Sequence, residues 1–121
     1  MQFKYEYGVL LFERGMTNEA IQQFQRSQQN PQRRIRSLYY MALCFKAKQQ
    51  LDIAAEQLER AASELQILDD TKKDIIYELG SVYEVMGENA KAEDLFKEIY
   101  AVDIGYRDVA AKIEKSYKKQ T

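Results

Sequence analysis

Three stretches of the sequence carry the same order of small and large residues, and their spacing restricts the chain to a repeating fold. The small residues Gly8, Ala42 and Gly80 are separated by 34 and then by 38 residues. Two further sets keep the same two separations: Phe24, Leu58 and Phe96, and Ala20, Ala54 and Ala92. A period of this length is typical of proteins that stack one supersecondary unit on the next.

Apolar residues recur every three or four positions on both sides of a short turn in each unit, which predicts a pair of antiparallel helices. Glycine and proline are scarce, with 5 and 1 occurrences, and this favours long helices over a sheet. The sequence therefore predicts an all-α fold, an α-solenoid of seven helices in a single domain. The predicted ranges are 1–34, 35–72 and 73–106 for the repeats, 107–119 for a closing helix and 1–121 for the domain.

The ends of several helices are predicted from local signals. Thr17 is a candidate N-cap for the second helix, and Thr71 with Asp74 three residues later resembles a capping box at the start of the fifth. The four extra residues between the second and third copies equal about one helical turn. Because Leu65 and Leu68 continue the apolar stripe of the fourth helix, we expect these residues to lengthen that helix.

The 34-residue unit resembles the tetratricopeptide repeat, with three repeats and a C-terminal capping helix over essentially the whole chain. The third copy is the best match to that family's pattern, with Ile76, Leu79, Gly80, Tyr83, Ala92 and Phe96. The second matches with Leu38, Met41, Ala42, Phe45, Ala54, Leu58 and Ala61, and the first with Tyr7, Gly8, Leu11, Ala20, Phe24 and Ser27. The departures are Lys4, Ile99 and Ile104, a Pro31 one place early, and no proline after the second copy. The resemblance implies a right-handed superhelix that acts as a non-catalytic adaptor and binds a peptide or protein segment in a concave groove.

The resemblance also indicates which residues line that groove, on the first helix of each repeat. The predicted contacts are Tyr5, Val9, Phe12, Tyr39, Leu43, Lys46, Tyr77, Ser81 and Glu84, with Glu13, Ala47 and Val85 beside them. Tyrosine recurs at the same place in all three repeats, and such rings suit mixed apolar and polar recognition. The alternative is that these rings only pack along neighbouring helices. Acidic Asp74 and Glu78 stand where a carboxylate-binding groove would need cations, which argues against that subclass.

Composition argues against other classes of protein. There is no histidine, no glycine-rich phosphate loop and a single cysteine, Cys44, so the sequence predicts no enzyme, cofactor or metal site. The net charge of -1 favours neither nucleic acid nor an anionic membrane, although Arg33, Arg34 and Arg36 form one basic cluster that leaves nucleic-acid binding as a less favoured alternative. No apolar run is long enough to span a bilayer, and a cytoplasmic location is the default expectation.

A further alternative is a structural role, as a self-assembly module or as part of a longer repeat array. Phe3, Tyr7 and Leu10 cluster on one side of the first helix, where no earlier repeat is present to cover them. An uncovered apolar surface of this kind favours association. We therefore expect a possible homodimer through the N-terminal helix pair.

Overall fold

The structure is a computed structural model that describes residues 3–119 of the chain; residues 1–2 and 120–121, which the predicted repeat and domain ranges include, lie outside the described residues. Between residues 3 and 119 it contains seven α-helices and no strand, which confirms the all-α prediction. The helices are α1 Lys4–Glu13, α2 Thr17–Ser27, α3 Arg34–Ala47, α4 Leu51–Ser63, α5 Asp70–Met86, α6 Asn89–Val102 and α7 Val109–Lys119. None of these described helices is long and apolar enough to cross a membrane.

The chain divides into two compact units, one ending at Glu64 and the other beginning at Leu65. In the first unit α1 packs on α2, α3 packs on α4, and α2 also contacts α3. The hydroxyl groups of Ser27 and Ser37 share a hydrogen bond of 2.6 Å between α2 and α3, so these two buried polar groups satisfy each other. The core of this unit consists of Leu11, Ala20, Ile21, Phe24, Leu38, Met41, Ala42, Cys44, Ala54, Ala55, Leu58 and Ala61.

The second unit contains the hairpin α5–α6 and the closing helix α7, which packs on α6. Its buried apolar residues are Ile75, Ile76, Leu79, Val82, Tyr83, Ala92, Phe96, Ile99, Val109 and Ile113. Val109 and Ile113 form the buried apolar side of α7, and Tyr117 on the same side is 55% exposed. Glu114 is exposed 34 residues after Gly80, at the place of the small residues. Because a glutamate there prevents close approach, α7 does not offer the surface on which a second helix packs in the three hairpins.

The first helix of each hairpin ends in the same backbone motif. Gly15, Gln49 and Gly87 have φ values of 77°, 63° and 82°, in the left-handed region. The residue after each one donates its N–H to the carbonyl five positions earlier at 2.9 Å, which is the long hydrogen bond of a Schellman motif. The turn at residues 48–50, which the sequence shows to lack glycine, therefore forms with Gln49 in the conformation that glycine adopts in the other two.

Small residues allow the two helices of each hairpin to approach closely. A methyl group built on Gly8 would lie 2.7 Å from Cε1 of Phe24, and one built on Gly80 would lie 2.8 Å from Cε1 of Phe96. Both phenylalanine rings are buried, so neither can move aside freely. In the second hairpin the equivalent places hold an alanine and a leucine, Ala42 and Leu58, and both are buried as well.

The prediction that α4 continues through Leu65 and Leu68 is wrong, because α4 ends at Ser63. Compared at equivalent places, α4 extends two residues further than α2, and α5 begins two residues earlier than α3. The four extra residues are thus divided between two helices. The connection after each hairpin keeps six residues, 28–33 and 64–69.

The predicted helix caps are also wrong. Asp69 is the N-cap of α5, where its carboxylate accepts a hydrogen bond of 3.0 Å from the backbone N–H of Lys72, so Thr71 lies inside the helix and forms no capping box. Met16 occupies the N-cap of α2 and provides no side-chain cap. The Thr17 hydroxyl instead donates weakly, at 3.4 Å, to the carbonyl of Gly15.

Candidate partner-binding site

Six of the nine predicted contact residues lie in the first unit, on α1 and α3. All six are half-buried, so the hairpin cores do not use them fully. Since α1 and α3 contact each other, equivalent residues of the two helices form one surface. We call this surface the aromatic face, and it consists of Tyr5, Val9, Phe12, Tyr39, Leu43 and Lys46.

Tyr40, which the groove prediction does not include, joins the rings of the aromatic face. Its ring lies 6.0 Å from that of Tyr5, 5.8 Å from Phe12 and 5.5 Å from Tyr39, each in an edge-to-face arrangement. On its other side Tyr40 stacks on the buried ring of Phe24 at 5.5 Å. Aromatic rings paired in these arrangements stabilise the fold by more than the burial of their apolar surface alone. The repeat pattern contains no signal for Tyr40, because the equivalent residues in the other repeats are glutamates.

Two arginines cover tyrosines of the aromatic face. The guanidinium of Arg33 lies 5.3 Å from the centre of the Tyr5 ring, and that of Arg36 lies 5.6 Å from the centre of the Tyr39 ring. Arg33 also forms a 3.0 Å ion pair with Glu6. Burial and the neighbouring Tyr40 raise the pKa of Tyr5, while both arginines lower it. The rim of this surface therefore combines aromatic rings with positive charge.

The predicted basic cluster has acidic and aromatic neighbours within the first unit. Arg34 donates two hydrogen bonds of 2.8 Å to the carboxylate of Glu64, and these bonds hold the pKa of Glu64 below its ordinary value. Arg33 and Arg36 contact the tyrosines described above. A single cluster of three arginines on a chain of net charge -1 is not the extended basic surface that a phosphate backbone needs, so the geometry gives the nucleic-acid alternative no support.

The third tyrosine, Tyr77, has a different environment in the second unit. Its hydroxyl donates a hydrogen bond of 2.6 Å to Asp108, just before α7, and the guanidinium of Arg107 lies 4.7 Å from its ring centre. The ring also contacts Phe96 and Tyr106. Burial, and then the hydrogen bond to Asp108, raise the pKa of Tyr77 to about 12. The geometry of Tyr77 therefore agrees with the alternative interpretation, in which the recurring tyrosines pack against neighbouring parts of the chain.

The other two predicted contacts of the third repeat are also on α5. Glu84 accepts hydrogen bonds of 2.9 and 3.1 Å from the ammonium of Lys112 on α7, and Ser81 is half-buried. A cavity of about 440 Å³ lies beside this ion pair, with Phe96 and Ile113 among its lining residues. Acidic and basic groups both line the cavity, so its charge favours no class of ligand.

The chemistry of the described residues does not indicate a reaction. Burial raises the pKa of the Cys44 thiol to about 11, so this cysteine is protonated near neutral pH and is a poor nucleophile. Among residues 3–119 no group of three or more histidine, cysteine or acidic side chains is placed to hold a metal ion.

Comparison with known proteins agrees with this architecture. A model described as a tetratricopeptide repeat matches residues 36–64, within the second predicted repeat. No curated protein sequence matches the chain. The crystal structure of MamA superposes with a TM-score of 0.80 and 21% sequence identity over 98% of this chain and 67% of that chain, and so shows the fold. The repeat match and the shared fold together support assignment of the chain to the tetratricopeptide repeat family, whose members generally act as non-catalytic scaffolds for protein–protein interaction.

Proposed function

We propose that the chain is an adaptor that binds a peptide or protein segment on the aromatic face. The observation that carries this proposal is the group of three half-buried rings, Tyr5, Phe12 and Tyr39, held in place around Tyr40. Rigid aromatic rings lose little conformational entropy when they are covered, and for this reason they are frequent among residues that dominate binding energy. The groove that the family resemblance predicts includes the aromatic face, but it also includes residues of the third repeat.

The third repeat is a weaker candidate for the partner contact. Tyr77 and Glu84 already interact with Asp108 and Lys112. A partner that used these groups would have to replace those hydrogen bonds, and such exchange contributes little net affinity. We therefore place the main contact on α1 and α3.

The composition of the aromatic face indicates the chemistry of the bound segment. Val9, Phe12 and Leu43 are apolar and half-buried, which favours apolar side chains in the partner. Arg33, Arg36 and Lys46 surround them with positive charge, which favours acidic residues beside those apolar side chains. The proposed partner is thus a segment that combines apolar and acidic residues.

Affinity capture from native lysate tests the proposal with matched variants of the immobilised chain. The test variant is Phe12→Ala/Leu43→Ala, and the control is Ile53→Ala/Ile67→Ala, which removes two exposed apolar side chains that are not among the residues of the aromatic face. Proteins that bind the aromatic face should be captured by the wild type and the control, and reduced about tenfold or more with the test variant. Thermal melting of each variant verifies that it is folded.

The same comparison can contradict the proposal. If the folded test variant captures the same proteins in the same amounts as the control, the aromatic face is not the binding site. For a partner recovered in this way, titration calorimetry with Tyr77→Phe should show almost unchanged affinity. A large loss with Tyr77→Phe would instead move the contact to the third repeat.

A further inference from the structure

The buried phenylalanines of the first and third hairpins contact different kinds of side chain on the helix that follows. In the first unit the ring of Tyr40 stacks on Phe24 at 5.5 Å, with 16° between the ring planes. In the second unit the ammonium of Lys112 lies 5.1 Å from the centre of the Phe96 ring. Tyr40 and Lys112 each follow their phenylalanine by 16 residues, so they occupy equivalent places. This place therefore holds an aromatic ring in one unit and a positive charge in the other.

A second place differs in the same way. The ring of Tyr40 lies 5.8 Å from that of Phe12, whereas Lys112 donates hydrogen bonds of 2.9 and 3.1 Å to Glu84. Phe12 and Glu84 each precede the phenylalanine of their own hairpin by 12 residues, so they are equivalent as well. The two places thus hold an aromatic pair in the first unit and an ion pair in the second. The residue that follows the hairpin decides the chemistry of the surface above its core phenylalanine.

Tyr40 connects the buried core of the first hairpin to the rings at the surface. Phe24 is fully buried and lies against Gly8, where a methyl group would be 2.7 Å from the Phe24 ring. On its other contacts Tyr40 lies 6.0 Å from the ring of Tyr5 and 5.5 Å from that of Tyr39. Rings that are held in place before binding lose less conformational entropy when a partner covers them. A charged residue in place of Tyr40 would remove this support.

We propose that Tyr40 is the specificity-determining residue of the aromatic face, a role that rests on the proposed partner binding there. Its ring holds the neighbouring rings in position and keeps the centre of the face uncharged. Apolar side chains of the partner are favoured for this reason, while Arg33 and Arg36 attract the acidic residues beside them. A lysine at this place, as in the second unit, would retain the attraction for acidic residues and remove the selection for apolar ones.

Selection from a phage-displayed library of random peptides on the immobilised chain tests this role. The test variant Tyr40→Lys takes the residue that the second unit has at the equivalent place, and Tyr40→Phe is the conservative control that keeps the ring. The wild type and Tyr40→Phe should enrich the same peptides, which combine apolar and acidic residues. Tyr40→Lys should enrich acidic peptides without the preference for apolar residues. A loss of stability alone would not change which residues the selected peptides contain.

Synthetic peptides from the wild-type selection then give affinities by titration calorimetry. Tyr40→Phe should bind them within about threefold of the wild type, and Tyr40→Lys about tenfold more weakly or worse. Because Tyr40→Lys adds a positive charge, charge repulsion of an acidic peptide does not explain such a loss. Thermal melting verifies that each variant is folded. If Tyr40→Lys is unfolded, Tyr40→Leu replaces it and should also weaken binding about tenfold, since leucine does not hold the neighbouring rings.

The outcomes that contradict this role differ from those that contradict binding on the aromatic face. If folded Tyr40→Lys enriches the same peptides with affinities within about threefold of the wild type, Tyr40 does not determine specificity, although binding on the aromatic face stands. If Tyr40→Phe loses the peptides as well, the hydroxyl group rather than the ring selects them. If the wild type enriches no peptide beyond those that Phe12→Ala/Leu43→Ala enriches, the proposed binding on the aromatic face fails.

Discussion

The second and third hairpins form the same helix contact and the same turn from different residues. In α5–α6 the contact pairs Gly80 with Phe96, whereas in α3–α4 the same places hold Ala42 and Leu58. The larger residue on one helix is matched by the smaller one on the other. The family model nevertheless matches the second hairpin, which has no glycine at the helix contact or in the turn. The hairpin therefore depends on the combined volume of the pair rather than on glycine at one place.

The largest expected effect comes from breaking this volume match in the third hairpin. Gly80→Ala places a methyl group 2.8 Å from the Phe96 ring, and such overpacking costs about 1–3 kcal/mol. Alanine recovers up to about 1 kcal/mol through its better helix propensity, so we expect a net loss of up to about 2 kcal/mol. In a Phe96→Leu background the clash is absent, and Gly80→Ala should become neutral or stabilising.

Urea unfolding of the four proteins in this double-mutant cycle measures the coupling between the two residues. We expect a coupling free energy of about 1–3 kcal/mol in favour of the double variant over the sum of the single changes. The reciprocal pair Ala42→Gly/Leu58→Phe, in the second hairpin, provides the matched control. Additive effects at both places would show that the two residues of each pair are not matched by volume.

A smaller effect is expected where the turns of the two hairpins differ. Gln49 has φ 63° at the place where Gly87 has φ 82°, and a side chain in this region costs about 1–2 kcal/mol. Glycine has a larger entropy in the unfolded chain, which offsets roughly 0.5–1 kcal/mol of that cost. We therefore expect Gln49→Gly to stabilise the chain by about 0.5 kcal/mol and Gly87→Gln to destabilise it by a similar amount or more.

Thermal or urea unfolding of both variants tests the turn prediction, with Gln50→Gly as the control. Gln50 has φ -96°, which every residue adopts readily, so glycine there should only destabilise. Opposite signs for Gln49→Gly and Gln50→Gly are the expected result. Destabilisation by both changes would indicate that the Gln49 side chain makes a contribution larger than its backbone strain.

The helix contact and the turn differ in how far the sequence predicts them. The spacing of Gly8, Ala42 and Gly80 is sufficient to predict the hairpins, because close helix contacts require small residues at a fixed period. It does not predict the left-handed Gln49, since the turn geometry comes from the whole Schellman motif. The end of α4 was also missed, because Leu65 continues an apolar stripe while the Asp69 cap already begins the next helix.

The candidate site was less predictable for a related reason. Because tyrosine recurs at one place in each repeat, the sequence predicts the same environment for each of these side chains. The environment of each tyrosine, however, depends on the residues of the next repeat or of the closing segment. Tyr5 contacts Tyr40 of α3 and Arg33 just before α3. Tyr77 instead contacts Asp108 and Arg107 just before α7. These neighbours are about 30 residues away in sequence. A repeat pattern that compares equivalent places does not include them.

A third expected effect concerns these two tyrosines and depends on pH. The pKa of Tyr77 is about 12 in the folded chain, against an ordinary value of 10.0 in the unfolded chain. The neutral hydroxyl is therefore favoured by folding. Its stabilising contribution is complete below about pH 10 and is lost as the pH rises from about 10 to about 12. We expect the free energy of unfolding to decline in this range more steeply for the wild type than for Tyr77→Phe.

Urea unfolding of the wild type and Tyr77→Phe at pH 8 and pH 11 measures this difference. At pH 8 the wild type should be more stable by about 1 kcal/mol, the usual contribution of one hydrogen bond, and at pH 11 the advantage should be smaller. Asp108→Asn should bring the pKa of Tyr77 back toward 10, because the hydrogen bond to the carboxylate and its negative charge both raise that pKa. Tyr5→Phe is the matched comparison, because burial also raises the pKa of Tyr5 but no carboxylate among residues 3–64 accepts a hydrogen bond from it, so a smaller decline with pH is expected. An advantage for the wild type that stays constant from pH 8 to pH 11 would mean that the residues before α7 cover Tyr77 without favouring its neutral hydroxyl. The environments of Tyr5 and Tyr77 would then be equivalent in this respect.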